Sequence, residues 1–231
     1  MMVKSAADTA ADFFILNPTT HSEATHAMNL EQVKDQIRQH TLYVQQGLLA
    51  RHYQNTLIKP RGSLGLLEDI SVRLAGMTRH LRYNISGKHV LIMCADHGFA
   101  AHGVSACPGH VTGQMARACL KETAAASVIA RANGTHLSVF DIGIAKTVDC
   151  PGRNNRKIRK ETRDFTKGFA MTGEETLQAI GNGFEETRRI VKTGAHIIAP
   201  GEMGIGNTTA SSALLSVFSD LPPEQVTGGD L

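Results

Sequence analysis

In His89-Val90-Leu91-Ile92-Met93-Cys94-Ala95-Asp96-His97-Gly98 a continuous apolar run stops abruptly at two polar residues and a glycine. A short run without polar alternation suits a strand covered on both faces, whose polar groups are available to a ligand only at its tip. The same grammar recurs from His136 to Ile142, with Asp141-Ile142-Gly143 at the end, and from Ala195 to Pro200, followed by Gly201-Glu202-Met203-Gly204. Between these runs, 111–132 and 172–193 are long and apolar enough to be helices that cover a sheet, and Thr172 and Glu175 stand at capping-box spacing. Strands alternating with helices imply right-handed crossovers and a parallel sheet, with ligands outside the carboxyl ends of the strands. The expected class is α/β: a Rossmann-like parallel sheet with flanking helices.

Ahead of this region, Leu30, Val33, Ile37, Val44, Leu48 and Leu49 recur at near-helical spacing and predict one amphipathic helix ending near Lys59-Pro60, since proline disfavours a helical residue before it. Leu67, Ile70 and Leu74 predict a second helix over Leu64 to Met77, with Glu68 and Asp69 in its early part. The expected organisation is an N-terminal extension at 1–28 with no assigned role, a small helical subdomain at 29–84, and an α/β nucleotide-binding domain at 85–231 that is incomplete at its C-terminus.

The 231 residues, 42% hydrophobic and 19% charged, allow one sizeable core. With 24 Lys and Arg against 21 Asp and Glu, a formal charge of +3 is too weak a bias to argue for nucleic acid. The basic residues concentrate only around Arg153 to Arg163, which reads as a solvated loop. No apolar run approaches the ~20 residues that span a bilayer. Met1 to Phe14 lacks an apolar block followed by a small-residue cleavage site. A cytoplasmic location without membrane contact is therefore expected, and the four cysteines, with no C-x-x-C spacing, read as reduced thiols.

The candidate chemistry gathers at the strand tips. Gly201-Glu202-Met203-Gly204-Ile205-Gly206-Asn207-Thr208-Thr209 joins a strand to the apolar helix Ala210 to Phe218. Its glycines permit tight turning and close ligand approach, and Asn207 or Thr208 can cap a helix whose amino end favours phosphate. The competing reading is a glycine-rich turn without a ligand, because neither G-x-x-x-x-G-K-[ST] nor G-x-G-x-x-G is present. Asp96, His97, His102 and His110 raise a metal reading, which the absence of H-E-x-x-H and of a cysteine cluster weighs against. Asp141 is placed either to bind a ribose hydroxyl or to fix its own loop. A dinucleotide-binding oxidoreductase would need a glycine fingerprint after the first strand, which Asp96-His97-Gly98-Phe99 does not supply.

Five segments occur in a telling order: Lys59-Pro60-Arg61-Gly62-Ser63-Leu64-Gly65, Ala95-Asp96-His97-Gly98 with Gly103-Val104-Ser105-Ala106, Val139-Phe140-Asp141-Ile142-Gly143-Ile144, Gly168-Phe169-Ala170-Met171-Thr172, and Gly201 to Thr209. Together they resemble the nicotinate-nucleotide:dimethylbenzimidazole phosphoribosyltransferase family from about Leu30 onward. The resemblance implies a small helical domain beside the sheet and a homodimer; no cofactor and no metal are expected. It also implies transfer of phosphoribose from nicotinate mononucleotide to 5,6-dimethylbenzimidazole, giving α-ribazole phosphate and nicotinate in cobalamin biosynthesis. The aromatic base would be held by Ser105 to Met115, with Cys107 and Met115 as walls, and Asp96, His97 and Asp141 would complete the substrate site. The nucleotide side would be lined by Glu202, Met203, Gly204, Gly206, Asn207 and Thr208, with Glu202 as the assisting carboxylate.

Arg61 stands where the family usually has a second proline, Phe169 replaces the proline of G-P-A-M-T, and Gly109-His110 differ from the residues common after G-V-S-A. The sequence stops at Thr227-Gly228-Gly229-Asp230-Leu231, about where the family places a phosphate-binding loop. The expectation is a C-terminally truncated member lacking the glutamate that resembling enzymes use as general base. The competing expectation is a non-catalytic benzimidazole- or nucleotide-binding module.

Overall fold

A computed structural model describes residues 30–39, 41–83 and 85–227; the expected extension at 1–28 lies outside them. The described residues divide into two compact units, one reaching to Gly87 and including Glu185–Ile197, the other formed by Lys88–Phe184 and the residues from Ile198 onward.

In the first unit, the single helix expected from Leu30 to Lys59 is two, α1 (Leu30–Gln39) and α2 (Val44–Thr56), followed by α3 (Leu66–Thr78). The interruption has a tertiary cause: the Tyr43 N–H donates to the Gly76 carbonyl at 2.9 Å, and the Arg79 guanidinium lies 3.8 Å above the Tyr43 ring. Gly62 and Gly65, both at positive φ, turn the chain between α2 and α3. Lys59 donates to the Glu68 carboxylate at 2.6 Å across this turn, and the Leu64 N–H donates to the same carboxylate at 3.2 Å. The Lys59 hydrogen bond, foremost, holds the Glu68 carboxyl below its ordinary range. The Lys59 to Gly65 segment is thus a turn fastened onto the first turn of α3.

The second unit is α/β as expected. Its elements are β1 (Lys88–Ala95), a 3₁₀ turn (Gly98–His102), α4 (Val111–Leu120), α5 (Ala125–Ala132), β2 (His136–Gly143), β3 (Asn154–Asn155), most of α6 (Gly173–Lys192), β4 (Ile197–Met203), α7 (Asn207–Ser219) and α8 (Pro223–Val226). The sheet order is β3-β2-β1-β4. β1 runs parallel to β2 from His89 beside His136 to Ala95 beside Gly143, with a slip between Cys94 and Ala95 that skips Ile142. β4 is parallel too, because Gly201 abuts Leu91 and Ile92 while Gly204 abuts Ala95. Ile92, Cys94, Ala116, Cys119, Ala124, Val139, Ile144 and Val148 form a buried core between sheet and helices.

Two elements depart from the sequence reading. The helix expected over 111–132 breaks at 121–124, where Thr123 and Ala124 both donate to the Ala118 carbonyl and Glu122 takes a positive φ. β3 has no counterpart in that reading; Asn154 and Asn155 pair with Phe140 and Asp141 inside the basic stretch. The capping box forms as read, Thr172 N–H to Glu175 at 2.8 Å and Glu175 N–H to the Thr172 hydroxyl at 3.1 Å.

Candidate functional site

Because β1, β2 and β4 are parallel, Asp96, Gly143 and Gly204 arrive at one rim. There a cavity of about 600 Å³ opens between the β1 tip, the 3₁₀ turn, the loop that follows it, the first turns of α4, and Ile144 to Lys146. The size suits a small organic ligand.

Of the side chains singled out from sequence, the structure brings Asp96, His97, Ser105, Cys107 and His110 to the lining, and His102 is not on it. His97 packs against Phe99, ring centroids 5.5 Å apart, and Phe99 against Phe165 at 4.3 Å. Burial pushes the His97 imidazole below its ordinary range, with Asp96 opposing the shift, so the neutral ring is favoured. Cys107 is an exposed free thiol whose N–H donates to the Ser105 hydroxyl at 3.2 Å.

Met115 and Asp141 are not on the lining. Asp141 is fully buried and engaged on every side: Oδ1 accepts the Ile144 N–H at 3.0 Å, and Oδ2 meets Arg153 at 2.9 Å and Lys157 at 3.3 Å. Lys157 also donates to the Ile144 carbonyl. Of the two sequence readings, ribose ligand or loop anchor, this geometry is an anchor. The basic stretch is correspondingly not a solvated loop: Arg153 and Lys157 are spent on Asp141, while Arg159 and Arg163 pair with Glu175 at 3.1 and 3.0 Å.

The glycine-rich turn lies at the same rim but is pressed against protein rather than against this cavity. A Cβ on Gly204 would collide with the Ala95 carbonyl, and one on Gly206 would touch Phe99 and Ala100 at 3.4 Å. The Ile205 N–H donates to the buried Thr112 hydroxyl at 3.0 Å, tying the turn to α4. Gly206, at φ +88°, takes the capping position expected of Asn207 or Thr208; Asn207 begins α7, and its side-chain oxygen accepts the Thr208 N–H at 2.8 Å. Glu202 and Met203 end β4. Partial desolvation raises the Glu202 carboxyl above its ordinary range, a suitable property for a carboxylate that handles a proton.

Sequence reasoning missed Lys146 and Glu161, which give the lining one cation and a second carboxylate, and Thr112, the link between α4 and the turn. No spacing motif marks them; their places follow from the slip at Cys94 and from the loop held by Asp141. Among the described residues no group of three or more His, Cys, Asp or Glu is arranged to hold a metal, and no helix is long and apolar enough to cross a membrane.

The cavity borders the carboxyl ends of parallel strands, the place where open α/β sheets generally take small ligands. Residues 44–230 match the phosphoribosyltransferase family, and the chain belongs to it. It is 44% identical over 174 residues to a nicotinate-nucleotide–dimethylbenzimidazole phosphoribosyltransferase of Halalkalibacterium halodurans, covering 75% of this chain and 49% of the relative. It is 42% identical over 180 residues to the protein of the same name from Chloroflexus aurantiacus, covering 78% and 51%. The crystal structure of such an enzyme from Thermus thermophilus superposes with a TM-score of 0.77 at 40% identity, covering 80% of this chain and 56% of that one. The chain spans about half the length of the curated relatives it matches.

Proposed function

We propose that this chain carries the aromatic-base side of a phosphoribosyl transfer from nicotinate mononucleotide to 5,6-dimethylbenzimidazole, yielding α-ribazole phosphate and nicotinate. The observation that carries the reading is the cavity at the β1 tip: it is built largely from the Asp96 to His110 segment, within the region that aligns with relatives named for this reaction. Ser105 and Cys107 would flank the ring, and Asp96 and His97 would close its inner end. The nicotinate nitrogen is a cationic leaving group in the substrate, so the site has chiefly to position an azole nitrogen against the ribose C1′ and accept one proton. Glu202, Met203, Gly204, Gly206, Asn207 and Thr208 would form the nucleotide side, with Glu202 as the assisting carboxylate. The working form would be a cytoplasmic homodimer acting without a cofactor.

The test is to incubate the purified 231-residue chain with nicotinate mononucleotide and 5,6-dimethylbenzimidazole and to resolve the products by chromatography, with base binding followed in parallel by calorimetry. α-Ribazole phosphate establishes turnover. Base binding without product identifies a binding module that needs further protein for chemistry, and absence of both refutes the assignment of the cavity.

A further inference from the structure

Leu214, Val217, Phe218 and Leu221 recur at the i, i+3, i+4, i+7 spacing with which a helix turns one face to a core. In the structure that face meets solvent: Val217 is 76% and Phe218 83% exposed, Leu214 and Leu221 are exposed too, and α7 buries no residue. Asn207–Ser219 carries no charged side chain, so this helix also lacks the groups that usually face water. A contiguous apolar stripe of this kind marks an interaction surface.

The sheet shows what is due there. The crossover from β1 through α4 and α5 closes on β2, its parallel neighbour. β4 and α7 begin a second crossover, but β4 stands at the end of the order β3-β2-β1-β4 and no strand returns beside it among the described residues. A parallel strand followed by a helix leads by a right-handed crossover to another parallel strand, with the helix covering the sheet. The match with the 44%-identical relative spans 49% of that protein, so half of a family member's length is left to cover this face. We propose that the α7 stripe and the open side of β4 form a docking surface for that remaining half of the family fold, which lays a parallel strand beside β4 and packs apolar side chains on Leu214 and Phe218. Glu202 at the end of β4 and Thr208 in the first turn of α7 are exposed and border this surface, so docking would also wall in residues proposed for the nucleotide side.

The test is to co-express the tagged 231-residue chain with the half of the 44%-identical relative that lies outside its matched stretch, and to size the captured material by light scattering. A one-to-one complex is expected. The double variant Leu214→Asp, Phe218→Asp alters two exposed positions and is expected to lower capture by about tenfold or more while keeping the circular dichroism of the native chain. Capture that the double variant leaves unchanged overturns the inference, as does a variant that loses its fold, because these side chains would then already serve the core. Absence of capture overturns it too, and a native dimer broken by the two substitutions would assign the face to a second copy of this chain. If the fragment does not accumulate, the apolar dye anilinonaphthalene sulfonate decides: the native chain should bind it and the double variant should not, and a native chain that binds none already has the face covered. None of these outcomes touches the base pocket, whose lining shares no residue with β4 or α7.

Discussion

Asp141 and Asp96 grip consecutive backbone amides: Asp141 Oδ1 accepts the Ile144 N–H at 3.0 Å and Asp96 Oδ2 accepts the Ala145 N–H at 2.8 Å. Two carboxylates from neighbouring strands therefore set one wall of the cavity, and the cations of the 153–157 loop in turn hold Asp141.

Replacing Asp141 by Ala strands Arg153 and Lys157 and frees the Ile144 amide. Breaking a buried pair of this kind costs about 3–5 kcal/mol, to be read as a lowered urea midpoint of unfolding. A loss below about 1 kcal/mol would mean that water already supports these cations.

Two glycines should respond in opposite directions. Gly204→Ala drives a methyl into the Ala95 carbonyl and is expected to cost about 1–3 kcal/mol. Gly183, inside α6, has nothing within 4 Å of an added Cβ, so Gly183→Ala should stabilise the chain by about 0.5–1 kcal/mol. Thermal unfolding of the two variants side by side checks both signs.

Glu175 is held at about 2 by the Thr172 N–H first, then by Arg163 and Arg159. A depressed carboxyl contributes stability that is complete above its unfolded value of 4.5 and disappears as pH falls through about 2. Glu175→Gln should melt at a lower temperature than the native chain at neutral pH, and the two melting curves should converge toward pH 2. Curves that stay parallel across this window would exclude Glu175 as the source of the acid sensitivity.

Burial pushes the Cys94 thiol up to about 12 and raises that of Cys119, whereas Cys107 is exposed on the cavity lining. Iodoacetamide at pH 8, followed by peptide mass spectrometry, should modify Cys107 first and Cys94 only after unfolding. Early labelling of Cys94 would contradict the core described above.

The strands are legible because an apolar run as short as Val90 to Ala95, closed by Asp96 and His97, fits a buried strand far better than a helix, and the cap on α6 because Thr172 and Glu175 meet locally. What escapes a reading of sequence depends on partners distant along the chain. The break before α2 is made by Gly76, the basic stretch is ordered by Asp141 and Glu175, and Lys146 and Glu161 reach the lining only through the path of that loop. The glycine-rich turn reads correctly as a strand-to-helix joint at the carboxyl-end rim of the sheet. Its glycines answer first to crowding by Ala95 and Phe99, a cause no single-sequence pattern displays.

The strand order leaves β1 as the sheet's inner seam, with β2 made soon after it and β4 much later in the chain. During synthesis one flank of β1 therefore stays open until the residues around Gly201 have left the ribosome, so assembly waits on a long-range pairing. A nascent chain halted before Ile197 would carry a bare hydrogen-bonding edge, making it a ready client for chaperones and a seed for clumping.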